Sequence, residues 1–308
     1  MTRKVVVLIA PTGGMASKDQ NPHLPTQPDE IARDVYDCYN VGASVVAVHA
    51  RRPDDQATCD PGIYHAINDR IRSKCDIVIN NSTGGGVSGD MVRQLSDGTW
   101  ELSFEQRLKG MEAGAEMCTL DATTVVCSFG DREYVMNTSP QRCRQLAVEM
   151  QKRGIKPEWE VFSPAHIVQD ATTLIAEGLD EAPHVLNLVL NAHRGFQNAM
   201  PYTPRTLQFM VDQLPRDALF CVSAIGPAQL PATLNGLLLG AGIVRIGLED
   251  NLYFRQRELA TNVQLTERMV RILRELDYEP ASAAEARAML GLPLKTAANR
   301  PEFALAAV

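Results

Sequence analysis

Cysteine pairs in any metal-binding or redox spacing are missing from this 308-residue chain. Its seven cysteines, Cys38, Cys59, Cys75, Cys118, Cys127, Cys143 and Cys221, are scattered and contain no C-x-x-C pair. That usage argues against a cysteine-rich zinc site and against a disulfide framework, and suits a reducing cytoplasm. There is no Lys/Arg run, and the net charge is -7, so a general nucleic-acid surface is excluded; an anionic cofactor needs local basic residues instead. No apolar stretch reaches the ~20 residues that cross a bilayer. The opening run Val5–Ala10 stops at Pro11-Thr12-Gly13-Gly14 without a plausible cleavage site, and it reads as a first strand rather than a signal peptide. Low-complexity segments and an interdomain linker are absent too. What is present is an ordinary globular balance, with 45% hydrophobic and 22% charged residues, in a length that suits an α/β barrel.

Short β-branched or apolar runs alternate with longer amphipathic stretches almost end to end, the pattern of repeated βα units and a parallel sheet. The expected strands are Val5–Ala10, Ser44–His49, Ile77–Asn80, Met117–Leu120, Glu158–Phe162, Val185–Leu190, Leu219–Ser223 and Val244–Gly247. Eight is the barrel number, although a doubly wound open sheet gives the same alternation. Helices are expected over Pro28–Tyr39, Gly62–Arg72, Phe104–Ala113, Gln141–Arg153, Ala165–Glu177, Pro204–Gln213, Ala228–Gly240 and Thr261–Leu276. The first has Pro28 and the acidic Asp29-Glu30 in its first turn, with Gly42 beyond its end. The fold class is therefore a single α/β domain over residues 1–308, a (β/α)8 TIM barrel. Residues 282–308 form a C-terminal helical extension whose apolar end, Phe303–Val308, is expected to pack on the barrel or on another subunit.

Loops that follow barrel strands build the active face, and polar residues crowd these positions. They are Thr12-Gly13-Gly14 after the first strand, His49 and Arg51 after the second, and Asn80–Gly86 after the third. Thr119, Asp121, Thr123 and Thr124 follow the fourth, Glu160 sits on the fifth, and Arg245, Glu249 and Asp250 come from the eighth. The glycine-rich run lets backbone approach a carboxylate or phosphate, or is simply a turn; no Gly-Lys-Ser/Thr follows, so it is not a nucleotide P-loop. His49 is either a metal ligand or a hydrogen-bonded rim group. Glu249-Asp250 offers one carboxylate for a metal and one for proton transfer, or two solvated acids. Arg245 either holds such an acid ionised, binds a substrate anion, or forms a structural ion pair.

Taken together and in order, these segments resemble the β-keto acid cleavage family. The similarity is carried by Asn21-Pro22-His23-Leu24-Pro25 with Pro28–Ala32, by Asn81–Gly86, by Lys156–Phe162 and by Arg245–Tyr253. It continues through Thr261–Leu265 and Glu285–Arg287 to Leu290-Gly291-Leu292. The resemblance implies an enzyme that condenses a β-keto acid with acetyl-coenzyme A, releasing acetoacetate and a new acyl-coenzyme A. It implies Asp250 as the base, with Arg245 and Glu160 orienting it. Ser82, Thr83, Gly84 and Gly85, with Thr119 or Thr124, would grip the substrate. It implies a zinc or other divalent ion on His49 and Glu249, and a homotetramer.

Two departures shape what is expected. The family's His-x-His at the end of the second strand reads Ala47-Val48-His49 here, and Arg52 stands where an aspartate usually follows Arg51. A catalytic zinc normally takes three protein ligands, so the ion should be weakly held or recruited only with a bidentate keto acid. Met15 occupies the position of a glutamate that receives the amino group of 3-keto-5-aminohexanoate. A thioether cannot neutralise an ammonium ion, so a neutral or non-ammonium substrate is expected. Two other readings stay open: a metal-free protein that binds keto acid or acyl-coenzyme A, and a metal-independent barrel lyase or aldolase using His49. No lysine at a strand end supports a Schiff base.

Overall fold

The computed structural model describes residues 2–294; the expectation for Phe303–Val308 lies outside them. Eight parallel strands form the barrel: β1 (Arg3–Ile9), β2 (Val45–Val48), β3 (Val78–Asn81), β4 (Met117–Asp121), β5 (Lys156–Val161), β6 (His184–Leu190), β7 (Ala218–Ala224) and β8 (Ile243–Ile246). Hydrogen-bonded ladders run from β8 through β1 to β7 in chain order. Between β7 and β8, which lie alongside each other, the barrel is nearly but not fully closed. The Thr233 hydroxyl lies 3.4 Å from the Val222 carbonyl of β7 and 3.2 Å from the Arg245 carbonyl of β8, and so satisfies backbone at that seam. The eight expected strands are these eight, displaced by one or two residues at their ends.

Period-2 alternation sets what fills the barrel. Val6 and Leu8 of β1 with Ala10 just beyond it, Val45 and Ala47 of β2, Val78, Met117, Val185, Cys221 and Ile243 form an interior apolar cluster. The intervening residues, such as Val7, Val46, Ile79, Leu120, Trp159 and Leu188, join the larger core under the helices. Toward the C-terminal ends of the strands the inward series turns polar, through Asn80, Thr119, Glu158, Glu160, Asn187, Ser223 and Arg245. The apolar floor thus gives way to a polar mouth.

The outer helices are α1 (Pro28–Asn40), α2 (Pro61–Arg72), α3 (Phe104–Lys109), α4 (Pro140–Lys152), α5 (Thr172–Ala176), α6 (Pro204–Val211), α7 (Gln229–Leu238) and α8 (Asn262–Glu275). At the start of α1, Glu30 Oε2 accepts from the Thr26 and Gln27 amides at 3.0 and 3.2 Å, which satisfies donors the helix leaves open. The expected helix over Ala165–Glu177 opens instead with a wide π-type turn, His166–Ala171, before α5. Such turns re-aim side chains; here His166 Nδ1 accepts from the Phe162 amide at 3.2 Å and Nε2–H therefore faces the Thr123 hydroxyl at 2.9 Å.

A second sheet was not expected from the alternation. Val92–Gln94, Trp100–Leu102, Arg132–Met136 and Val125–Phe129 form four short strands from the loops after β3 and β4. Leu102, Val125, Cys127, Tyr134 and Met136 make its core. Asp97-Gly98 and Gly130-Asp131 were the turn signals in the sequence.

At the opposite end, Tyr278–Pro280 pairs with Arg3–Val5, and α9 (Ala283–Leu290) follows it. Ala286 and Leu290 pack into the interior cluster, closing the barrel floor. Arg287 of this helix is buried, 2.6 Å from Glu116 Oε1 and 3.1 Å from Asp76 Oδ2, and it also donates to the Asp76 carbonyl. Removing a buried guanidinium leaves its acidic partners with uncompensated charge. Arg287→Ala should cost about 3 kcal/mol of unfolding free energy, read as a lowered urea midpoint at unchanged slope.

Candidate active site

A cavity of about 700 Å³ opens at the C-terminal ends of the strands, a volume suited to a small-molecule ligand. Its charged side is organised by Arg245, which is buried. The guanidinium grips Asp250 with two nitrogens, Nε to Oδ2 at 3.0 Å and Nη2 to Oδ1 at 3.2 Å. The same group stands 3.0 Å from Glu249 Oε1 and 3.5 Å from Glu160 Oε1. One cation therefore serves three carboxyl groups.

The acids are pulled apart electrostatically. Burial opposes ionisation of Glu249, but Arg245 and His49 outweigh it and hold this carboxyl below its ordinary range. Burial dominates at Asp250, with Arg245 opposing and Glu249 reinforcing, so its affinity for a proton is raised. Glu160 is pushed up further, by burial and then by the neighbouring Asp121. Behind it, Ser223 donates to Asn187 at 2.7 Å and Asn187 donates to Glu160 Oε1 at 3.1 Å. Deeper still, Glu158 accepts from Asn80 and is raised by its burial.

His49 Nδ1 donates to the Gly85 carbonyl at 2.8 Å, which fixes the ring so that Nε2 faces Glu249 Oε1 at 3.2 Å. Burial alone would lower the pKa of this imidazole; the Glu249 carboxylate reverses that and raises it. The expected pairing of His49 with Glu249 across the mouth is present. A three-ligand zinc site does not follow from it. Ala47, on the same inward face of β2, is buried among Leu8, Val45 and Met117 and has no donor atom. Among the described residues no three His, Cys, Asp or Glu side chains gather to hold an ion. Glu249 Oε2 is buried without a hydrogen-bond partner, so the pair supplies a histidine nitrogen and a carboxylate and stops there. The residues present do not fit the implied three-ligand ion.

Of the expected gripping residues, Ser82, Gly84, Gly85 and Met15 line the cavity. The Ser82 hydroxyl accepts from the Gly84 and Gly85 amides at 3.1 and 3.4 Å, which leaves its own hydrogen to donate elsewhere. Thr83 and Thr119 are buried behind the wall: Thr83 Oγ1 donates to the Thr119 carbonyl at 2.7 Å, and Thr119 Oγ1 accepts from the Thr83 amide at 3.1 Å. Thr124 is exposed and lies outside the cavity lining. These three threonines therefore position the glycine loop or stand apart from it, and of the expected residues on this loop Ser82, Gly84 and Gly85 are the ones that face the cavity. His193 lines the mouth and His23 does not.

Arg51, already placed on the active face, and Arg107, which the sequence reading passed over, both clamp backbone around the site. Arg51 is buried and ties the first loop down, donating from Nε to the Gly13 carbonyl at 3.0 Å and from Nη2 to the Ala16 carbonyl at 2.7 Å. Arg107, also buried, pairs with Asp121 at 3.2 Å and donates to the Thr83 carbonyl at 3.1 Å. Asn187 and Ser223 were findable, because each is a polar residue on the inward face of an otherwise apolar strand.

The fold and site define a barrel enzyme of carboxylate chemistry, and comparison with known proteins says which kind. A sequence profile described as beta-keto acid cleavage enzyme matches residues 4–292. The chain is 32% identical over 291 residues to the 3-keto-5-aminohexanoate cleavage enzyme of Acetoanaerobium sticklandii, covering 94% of this chain and 98% of that one. It is 34% identical over 307 residues to the 3-dehydrocarnitine:acetyl-CoA trimethylamine transferase of Rhizobium meliloti, covering 95% and 98%. Among solved structures, ObcA in a binary complex with oxaloacetate superposes with a TM-score of 0.68 at 19% identity, over 89% of this chain and 68% of that one; this likeness concerns the fold. The chain belongs to the β-keto acid cleavage enzyme family.

The walls meet where the first and third loops cross. A Cβ on Gly14 would overlap the Gly85 carbonyl oxygen and stand 2.7 Å from Gly86 Cα, both backbone atoms that cannot swing away. Gly14→Ala should therefore lower stability by about 1–3 kcal/mol and, by parting the loops that carry Met15 and Ser82, reduce activity beyond what lost stability explains. Denaturant midpoints and assays at a temperature where both proteins are folded separate the two effects.

Proposed function

We propose that this chain is a β-keto acid:acetyl-coenzyme A transferase, releasing acetoacetate and a new acyl-coenzyme A. The observation that carries the assignment of roles is Arg245 holding Asp250 with two hydrogen bonds at the cavity edge. A carboxylate fixed in orientation yet raised in proton affinity by burial is suited to take a proton from the carbon between the keto and carboxylate groups. The resulting carbanion attacks the acetyl thioester carbonyl, a carbon–carbon bond forms, and coenzyme A leaves as thiolate. That thiolate adds to the original keto carbon, and the bond from this carbon to the central carbon breaks. The new thioester departs, and the proton returns from Asp250 to the acetoacetate carbanion.

Ser82 takes the substrate carboxylate through its free hydroxyl hydrogen, while the Gly84 and Gly85 amides hold the hydroxyl oxygen in place. Arg245 meets negative charge as it develops, and it does so already oriented. Glu160, held through Asn187 and Ser223, positions Arg245 from below. No proton or electron pair is routed through an ion here. The proposal extends to one (β/α)8 domain with residues 282–308 as its extension, to a homotetramer, and to a cytoplasmic location. Among the described residues no helix is long and apolar enough to cross a membrane.

Incubating a panel of β-keto acids with acetyl-coenzyme A should yield acetoacetate from at least one, and its uniform absence would remove the transferase reading. Asp250→Asn keeps the shape and loses the proton acceptor; kcat should fall by about 10²–10⁴-fold while substrate affinity changes much less. Turnover equal to wild type would take the base role away from Asp250. For zinc, extensive dialysis should leave the wild-type protein substoichiometric by elemental analysis, whereas Ala47→His should retain the ion. Stoichiometric retention by wild type would mean that another group replaces the missing imidazole.

A further inference from the structure

Around the barrel, β8 stands across from β4 and β1 across from β5. Arg245, Glu249 and Asp250 lie on the β8 side, and the loops after β3 to β6 build the facing wall. That facing wall is apolar: Leu102, Cys127, Phe129, Met136, Phe162 and Phe196 all line the cavity. Phe162 stacks on Phe196 with centroids 5.9 Å apart and planes 15° apart, and Phe129 meets Phe196 edge-on at 5.8 Å and 80°. Backbone holds these rings in place, with the Ser128 amide donating to the Gly195 carbonyl at 2.8 Å and the Gln197 amide to the Val126 carbonyl at 2.9 Å. The wall is thus built into the sheet and exists before any ligand arrives.

Charged groups on this side are already engaged. Asp121 is paired with Arg107, and Glu160 accepts from Asn187. Met15 adds a thioether where the cavity meets the first loop. A second carboxylate laid on these rings would lose its water and gain no partner from them, and a cation would gain only the ring faces in exchange for its hydration. Alkyl or aryl surface would instead be removed from water against aromatic faces. His193 and Arg194, in the loop after β6, are the exceptions to test: both line the cavity and are exposed, and neither has an ion-pair partner among the described residues.

We infer that the keto acid used by this enzyme carries an uncharged apolar group on its keto carbon, a linear alkyl or aryl chain seated against Phe129, Phe162 and Phe196. The inference rests on the transferase reading for the identity of the ligand as a β-keto acid, and it adds the class of its substituent.

The test separates binding from turnover. Calorimetry with freshly prepared acids compares 3-oxohexanoate with 3-oxoadipate and 5-amino-3-oxohexanoate, which share six carbons and differ in terminal charge. A second series runs through 3-oxopentanoate, 3-oxohexanoate and 3-oxooctanoate. The uncharged acid should bind at least tenfold more tightly than either charged one, and affinity should rise roughly three- to fourfold per added methylene. Phe196→Ala should flatten the chain-length series, and Phe129→Ala should do so independently if the first variant folds poorly. A flat wild-type series, or tighter binding of 3-oxoadipate through Arg194, overturns the inference. Acetoacetate formation from acetyl-coenzyme A is measured separately on the same acids. Apolar preference without turnover keeps the pocket assignment and removes the transferase reading, whereas turnover with a flat or charge-preferring series does the reverse.

Discussion

Arg245 is buried in a barrel whose interior is otherwise apolar or neutral, and a guanidinium there is stable only among carboxylates. It gathers Asp250, Glu249 and Glu160 around itself, and their arrangement is the arrangement of the site. Because one positive charge cannot balance three negative ones, the acids divide. Glu249, nearest to both Arg245 and His49, keeps its charge, while Glu160, facing Asp121 across a buried space, is driven toward its protonated form. Asp250 lies between these extremes, its proton affinity raised by burial and opposed by Arg245. That division also allows an anionic substrate to enter, since a mouth with every acid ionised would repel a carboxylate.

The same crowding fixes the backbone. Gly247 has φ +141°, and a Cβ there would run into the Ala10 carbonyl. This close approach lets the Glu249 amide donate to Ala10 at 3.1 Å and swings Glu249 over β1 toward His49. Gly14 and Gly85 do the equivalent between the first and third loops. The His49 ring, fixed by the Gly85 carbonyl, owes its orientation to that contact. Electrostatics chooses the partners, and glycine makes their meeting sterically possible.

Much of this could be read along the chain because its periodicities are local. Each barrel strand is a short apolar run with a polar residue at its C-terminal end, so Arg245, Glu249, Asp250, Glu160, His49 and Ser82 could be named without coordinates, though their roles could not. The second sheet was illegible for the opposite reason. Its strands are three to five residues long, and what makes them strands is mutual pairing of two loops that follow different barrel strands. Thr119 and Thr124 mislead in another way. Thr119 lies on the right strand and Thr124 follows it, but Thr119 is bound to the backbone of the glycine loop and Thr124 turns out to solvent, and position along the chain alone does not set what a side chain meets. Arg51 is legible at the active face and Arg107 is not, and both prove to be buried clamps on carbonyl groups.

Ala47 and the aromatic wall then belong to one physical picture. A histidine at position 47 would carry polarity down β2 toward Leu8, Val45 and Met117; alanine lets the apolar floor rise to just beneath His49. On the far side, Phe129, Phe162 and Phe196 bring apolar surface up to the mouth. The polar machinery is therefore a band from Arg245 through Glu249 to His49 and Ser82, backed by Glu160, Glu158 and Asn80 and faced by apolar rings across the cavity. A β-keto acid divides in the same way when its substituent is apolar, with a carboxylate and keto group at one end and hydrocarbon at the other. A molecule so divided satisfies both sides at once: hydrocarbon turned to the band would strand its donors, and a carboxylate turned to the phenylalanine faces would be desolvated without a partner there. Under the proposed mechanism, the orientation of the reacting carbon toward Asp250 follows from this partition, before any specific contact to the substituent is invoked.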